Sequence, residues 1–277
     1  QARKGMALDE RKIIARRAAM ELAPFDVINL GIGVPEGVAS IANEEKILSS
    51  LTMTVEPGII GGMPTGGLDF GGSVNAESVI DMPDQFDFYD GGGLDLTCLG
   101  MAQCDASGNV NSSKFGKKLA GCGGFINISQ NAKKVLFVGT LTADGLEIAV
   151  ENGRLRIVSE GKVKKFVQHV QQITFSGKIG SQGDQEVYYI TERAVFRLLD
   201  GQLELIEVAP GIDIDKDVLA QMEFLPVMNR VKQMDERIFD TRPMKIRTEF
   251  LTRDLDRRIQ YHAEKNLLSL NFAGLEI

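Results

Sequence analysis

The sequence predicts an α/β fold: an open, largely parallel sheet flanked by helices, with an antiparallel hairpin region in the C-terminal half. Three observations predict it. In the first half, short β-prone runs are separated by connectors long enough for the crossovers that parallel pairing requires. Glycines cluster in the turns that follow those runs. After about residue 145 the runs flank Asn-Gly and Asp-Gly dipeptides instead, which are hairpin signals.

Taken in order, residues 8–22 place Ala15, Ala18, Ala19 and Leu22 at helical spacing, with Arg11, Lys12, Arg16 and Arg17 expected to turn largely elsewhere. A strand follows over 26–30, then the turn Gly31-Ile32-Gly33-Val34-Pro35-Glu36-Gly37 and a helix through Ile41 and Ala42. The run Leu51 to Val55 ends at Glu56, and Pro57-Gly58 opens a loop with seven glycines between residues 58 and 72. Further strands are expected over 94–99 and 135–139, separated by a loop that ends in Gly121-Cys122-Gly123-Gly124-Phe125. Residues 146–150 and 154–158 flank Glu151-Asn152-Gly153 as one hairpin, and 195–199 and 203–208 flank Asp200-Gly201 as another. Asp213 is placed as the N-cap of a helix through Leu219 and Met222. The last 40 residues alternate Arg247, Arg253, Arg257 and Arg258 with Glu249, Asp254 and Asp256. Phe250, Leu251 and Leu255 fit the packing stripe of a terminal helix whose charges form a solvated face.

The 277 residues suit one large domain or two small ones, and no repeat or low-complexity linker divides them. Hydrophobic residues at 43% and charged residues at 25% are globular values, which excludes disordered and fibrous classes. With 31 basic against 38 acidic residues the net charge is −7, so nucleic acid is not an expected partner. No apolar run approaches a membrane span and no signal peptide is recognised, so a soluble cytoplasmic protein is expected. Cys98, Cys104 and Cys122 are an odd set without C-x-x-C spacing, read as reduced thiols rather than a disulfide or zinc framework. Two isolated histidines, His169 and His262, supply histidine-based nucleophile or metal chemistry poorly.

Glycine is the outlier, at 30 residues, and its clusters mark the candidate chemistry. Glu56, at the end of a strand and before Pro57-Gly58, is a carboxylate on a stiff, sharply turning backbone. It could act as base or nucleophile, or merely cap the loop. Gly31-Ile32-Gly33, between strand and helix, can turn amides toward an oxyanion or phosphate. A dinucleotide site is disfavoured there by the G-x-G-x-x-x-G spacing and by Pro35. Gly121-Cys122-Gly123-Gly124-Phe125, preceded by Lys114, Lys117 and Lys118, could likewise face an anion, or be only a tight turn.

These segments resemble the family I coenzyme A transferases, specifically their second, β-like half. The match runs from Gly31-Ile32-Gly33-Val34-Pro35 and Val55-Glu56-Pro57-Gly58-Ile59-Ile60-Gly61-Gly62 through Gly92-Gly93-Leu94-Asp95-Leu96-Thr97-Cys98-Leu99-Gly100, Gly121-Cys122-Gly123-Gly124 and Ile190-Thr191-Glu192-Arg193-Ala194-Val195-Phe196. It covers about residues 8–225. The E-P-G setting of Glu56 is similar to the branch that acts on short-chain acyl-CoA such as acetyl-, propionyl- or butyryl-CoA, and departs from the S-E-N-G of 3-oxoacid transferases. Glu151-Asn152-Gly153 spells E-N-G but lies at an expected hairpin tip, lacks the preceding serine and has no glycine loop after it.

The resemblance implies a ping-pong exchange of CoA between a short-chain acyl-CoA and a carboxylic acid, through a glutamyl-CoA thioester on Glu56. It also implies backbone donors at Ile32 or Gly33 and at Gly123 or Gly124. Neither metal nor bound cofactor is implied, and acyl-CoA is substrate. Residues 1–225 are expected to form the catalytic domain and 226–277 a helical extension packed on it. Because the chain matches only the β-like half and begins without Met, it is expected to be part of a longer chain or to need an α-like half, to be inactive alone, and to work in a homo-oligomer. The same layout also resembles phosphate-binding effector modules and sugar-phosphate isomerases, which would form no covalent adduct. NAD-linked oxidoreduction is a further alternative, which would change nicotinamide absorbance.

Overall fold

The computed structural model describes residues 5–253 and 259–272. Ten strands form the main sheet: β1 (Val27–Leu30), β2 (Thr52–Val55), β3 (Ile59–Ile60), β4 (Ser78–Val79), β5 (Leu96–Gly100), β6 (Lys134–Val138), β7 (Glu186–Ile190), β8 (Ala194–Leu199), β9 (Gln202–Val208) and β10 (Lys232–Gln233), in the spatial order β10-β9-β8-β7-β6-β5-β1-β2-β3-β4. The five central strands, β2-β1-β5-β6-β7, are parallel; antiparallel pairs extend both margins, and β10 closes one of them parallel to β9. The expected parallel body with hairpins in the later half is therefore the observed architecture.

Helices cover both faces. On one lie α1 (Glu10–Ala19) and α2 (Gly37–Glu44), with Ile13, Ile14, Val38 and Ile41 packed on Ile28, Leu96 and Leu136. The other face carries α3 (Met82–Asp90) and α4 (Phe125–Asn131) and an aromatic cluster in which Phe137 lies 4.9 Å from Phe175 and 5.4 Å from Tyr189 between ring centroids. Burial of these two apolar layers is the main favourable term holding helices to sheet.

Helix α1 departs from the simple amphipathic expectation. Asp9 caps it by accepting the Lys12 amide at 3.0 Å, but Lys12, Arg16 and Arg17 are buried rather than turned to water. Each is buried because its charge is met. Lys12 Nζ lies 2.8 Å and Arg16 Nη2 3.1 Å from Glu44, Arg17 lies 2.7 Å from both Glu21 and Glu207, and Arg16 also donates to the carbonyls of Ile238 and Arg242 at 3.1 and 2.8 Å. From Lys12 onward the helix is wedged between the sheet and the C-terminal segment, and of the four basic residues only Arg11 is exposed.

The glycine-rich stretch after Glu56 is a folded flap, not a free loop. Strands β3 and β4 add to the edge of β2, and Met63–Pro64 pairs with Ser73–Val74 beyond them. Gly58, at φ +107°, has no space for a side chain: a Cβ there would meet the Ile80 carbonyl oxygen at 2.0 Å. The hairpin 147–151/154–159 turns at Asn152 and Gly153, both at positive φ, so Glu151-Asn152-Gly153 is a hairpin tip as expected. Asp213 accepts the Lys216 amide at 2.9 Å as an N-cap, but the helix it opens is a single wide turn over Ile214–Val218 followed by one 3-10 turn.

The expected C-terminal helical extension is corrected by the structure. Within 226–277 the only α-helix among the described residues is α5 (Arg247–Thr252), whose Phe250 and Leu251 are buried in the main core. Ile259–His262 then pairs antiparallel with Leu267–Leu270, reversing at Asn266 with φ +48°. Both strands are largely exposed. Leu255 and the charges Asp254, Asp256, Arg257 and Arg258 lie outside the described residues. Alternating charge fits a solvated strand as readily as a solvated helix face, so it carried no period to decide between them.

Candidate active site

The carboxyl ends of β2, β1, β5 and β6 lie side by side, and the residues that follow them line a cleft of about 680 Å³. This is where an open α/β sheet presents its ligand site. Glu56, Ile32, Gly123 and Gly124 all border it, together with Cys122 and Lys165.

Glu56 leaves β2 on a turn closed by the Gly58 amide donating to the Val55 carbonyl at 2.9 Å. Its carboxylate is half-buried and accepts no hydrogen bond from the described residues. A Cβ on Gly124 would lie 2.9 Å from Glu56 Oε2 and 2.7 Å from the Phe86 ring, so the carboxylate sits at that glycine with an aromatic edge beside it. Burial without a compensating donor raises its pKa above the ordinary carboxylate value.

Beneath Glu56 lies a polar layer. The Tyr89 hydroxyl donates to Thr54 Oγ1 at 2.9 Å and accepts from Gln85 Nε2 at 2.7 Å, while Thr54 donates to the Ile28 carbonyl at 2.9 Å. Asn29 reaches the same hydroxyl at 3.4 Å, and Asn29 Oδ1 and Gln85 Oε1 remain buried without a donor. Burial, and to a smaller extent the Glu56 charge, raise the Tyr89 pKa.

The four expected backbone positions divide. The amides of Ile32, Gly123 and Gly124 have no acceptor among the described residues, and all three residues border the cleft. Gly33 does not. It borders a neighbouring cavity of about 230 Å³, and its amide donates to Glu36 Oε1 at 2.9 Å. Lys114, Lys117 and Lys118 sit in a small ribbon, 114–115 paired with 118–119, and only its Phe115 reaches the cleft wall.

Sequence reasoning missed Lys165, Phe86, Tyr89 and Glu36. The i,i+4 spacing of Gln85 and Tyr89 was a legible helical contact. Lys165 carried no local signal, since it reaches the crest only because Val163–Lys164 pairs with Thr142–Ala143 just after β6. Among the described residues no group of His, Cys, Asp and Glu could hold a metal ion, and no helix is long and apolar enough to cross a membrane.

No known family model matches the chain. It is 48% identical over 240 residues to the caffeate CoA-transferase of Acetobacterium woodii, covering 84% of this chain and 46% of that protein. The acetate CoA-transferase subunit beta of Escherichia coli K12 is 29% identical over 220 residues, covering 75% of this chain and 89% of the subunit. A solved structure of the acyl-CoA transferase YdiF from E. coli O157:H7, a thioester complex with CoA, superposes with TM-score 0.82 at 45% identity, over 88% of this chain and 46% of YdiF. The chain thus spans less than half the length of the caffeate CoA-transferase and of YdiF. With close sequence identity and a shared fold over most of its residues, the chain belongs to the family I coenzyme A transferases, as their β-like half.

Proposed function

We propose that the chain supplies the nucleophile of a transferase that moves CoA between an acyl-CoA and a carboxylic acid, with Glu56 as that nucleophile and an α-like half completing the cleft. One observation carries the reading: a carboxylate without a hydrogen-bond donor is held against Gly124 at the sheet crest, with free amides on the cleft wall. A partly desolvated carboxylate without a hydrogen-bond donor is a better nucleophile than a fully hydrated one.

In this mechanism a Glu56 oxygen attacks the thioester carbonyl carbon, and the C–S bond breaks to release CoA thiolate and leave an acyl-glutamyl anhydride. The thiolate attacks the Glu56 carbonyl of the anhydride, and the bond to the acyl carboxylate breaks. The first acid departs and a γ-glutamyl-CoA thioester remains. A second carboxylate reverses both steps and leaves as its CoA ester. Each tetrahedral intermediate carries an oxyanion that the Ile32 amide and one of the Gly123 and Gly124 amides would receive, with each donor worth on the order of 3 kcal/mol. Binding energy from the distant CoA body must supply much of the rest. No oxidant or metal is needed, because thioester and carboxylate exchange partners of like kind.

Relatives named for acetate and for caffeate span small and aromatic acids, and the E-P-G setting of Glu56 favours the short-chain class. The test is to incubate the complete enzyme, this chain with its α-like half, with acetyl-CoA and then borohydride, and to map peptides. Reduction at Glu56 is expected. An unmodified Glu56 in protein that turns over acetyl-CoA would overturn the assignment.

A further inference from the structure

The proposed reaction uses Glu56 and amides, but a second carboxylate governs how they are arranged. Glu36 lies in the short 3-10 turn Val34–Glu36 that joins β1 to α2. Its Oε1 accepts the Gly33 amide at 2.9 Å, and its Oε2 accepts the Gly67 amide at 3.2 Å. Gly33 belongs to the turn that presents Ile32, and Gly67 belongs to the flap that starts at Glu56. Among the described residues, Glu36 provides the hydrogen-bond link between these two segments.

Steric detail reinforces the link. Gly33 and Gly67 have φ of +89° and +65°, the left-handed region that suits glycine, and each turns its N–H to the same carboxylate. A Cβ on Gly66 would fall 2.3 Å from Glu36 Oε2, so the flap backbone closes directly on the carboxylate. Hydrogen bonds to an ionised acceptor are about twice as strong as neutral ones. One such bond engages the Gly33 amide and the other the Gly67 amide, while the neighbouring Ile32 amide, which has no acceptor among the described residues, stays at the cleft.

We propose that Glu36 is a positioning residue for the transfer reaction. It clamps the Ile32 turn to the Glu56 flap, so that the amide donor and the nucleophile keep a fixed separation while the oxyanion forms and collapses. This inference rests on the transferase reading above. Glu36 holds backbone amides and does not line the cleft of Glu56, so its loss should slow the chemical step and leave acyl-CoA binding nearly intact.

The test measures single-turnover formation of the Glu56 thioester from saturating acetyl-CoA, with steady-state kcat and KM and thermal unfolding on the same samples. Glu36→Ala should lower the thioester rate and kcat about 10²-fold, the loss expected when reacting groups are misplaced by about 1 Å, with KM changed less than 3-fold. Glu36→Gln keeps one acceptor oxygen but turns an NH₂ toward the second amide, and should fall between wild type and Glu36→Ala. Should Glu36→Ala fold poorly, Gly66→Ala, which pushes on Oε2 from the flap side with Glu36 intact, should reproduce the kcat loss. Unchanged thioester formation in folded Glu36→Ala, or a loss confined to KM, overturns the inference while wild-type labelling at Glu56 leaves the transferase reading standing. A wild-type enzyme that forms no adduct at Glu56 overturns both.

Discussion

Glu56 and Gly124 meet across the crest of the sheet, with space between them for a hydrogen atom but not for a methyl group. A Cβ at Gly124 would stand 2.9 Å from Glu56 Oε2 and 2.7 Å from Phe86 Cζ. Gly124→Ala must therefore displace the carboxylate, the ring or the turn. Its overpacking cost is about 1–3 kcal/mol, and a shifted nucleophile should lower kcat about 10²-fold. Gly183→Ala, where nothing lies within 4 Å, serves as the control and should leave both turnover and Tm unchanged. Steady-state kinetics beside thermal unfolding checks this, and loss of activity only in step with loss of folded protein would count against the contact.

Burial at Glu56 makes a stability prediction of unusual sign. The pKa of the folded group lies above its ordinary value because burial disfavours the anion. Protonation is thus favoured by folding, and the associated stability is present at low pH and is lost as pH rises through the folded pKa. Glu56→Gln, which never ionises, should raise Tm at pH 7 to 8 while abolishing turnover, and its advantage should vanish near pH 3. Calorimetry of both proteins across that range checks it. An equal Tm gain at pH 3 would assign the effect to something other than ionisation.

Much of this arrangement was legible before the structure, and the division has a physical logic. Strand ends and glycine turns are local, so β1, β2 and the position of Glu56 followed from short windows around Gly31 and Pro57. Glu36 lay inside a segment singled out for its glycines, yet its role depends on Gly67, 31 residues away, which spacing does not reveal. Lys12, Arg16 and Arg17 were expected to avoid the core, and they are buried because Glu44 and Glu207 neutralise them from distant segments. The resemblance left Ile32 and Gly33 both open as donors; the Gly33 amide donates to Glu36, a contact that spacing does not reveal, and the proposed mechanism therefore uses Ile32.

The motif Thr191-Glu192-Arg193 turns out to pack rather than to line the cleft. Arg193 is fully buried, lies 2.5 Å from Glu192 and 2.7 Å from Glu160, and donates to the Asp217 carbonyl at 3.0 Å. Its partner Glu192 accepts the Leu141 amide at 2.9 Å just beyond β6. Arg193→Met leaves Glu192 buried without its cation, a cost of about 3–5 kcal/mol. Urea unfolding should show that loss, and a change under 1 kcal/mol would mean that the pair is compensated elsewhere.

Tyr89→Phe removes one oxygen and strands three partners. Gln85, Thr54 and Asn29 all meet at that hydroxyl, and Gln85 and Asn29 each already carry an unpaired oxygen. Leaving buried polar groups unsatisfied costs about 1–3 kcal/mol. Tyr89→Phe combined with Gln85→Leu, which removes the stranded amide as well, should recover part of the loss. The double variant's unfolding free energy, set against the two singles, decides whether the network acts as a unit.

Lys165 brings a positive charge to the cleft that Glu56 borders, beside Gly139 just beyond β6, whereas Glu56 follows β2. Its ammonium packs over Gly139, where a Cβ would lie 2.5 Å from Nζ, and it forms no hydrogen bond or ion pair with the described residues. Burial lowers its pKa from 10.5 to about 8, against a smaller opposing pull from Glu192. Folding therefore opposes protonation here, so the penalty is full below about pH 8 and fades as pH rises toward 10.5. Lys165→Met should raise Tm at pH 7 and lose that advantage above pH 10. A cation kept at such a cost, bordering a cleft proposed to take anionic ligands, should also weaken acyl-CoA or acid binding when removed. The KM of wild type should rise as pH passes about 8, and the Lys165→Met profile should be flat there. A wild-type KM unchanged between pH 7 and 9 would confine Lys165 to packing.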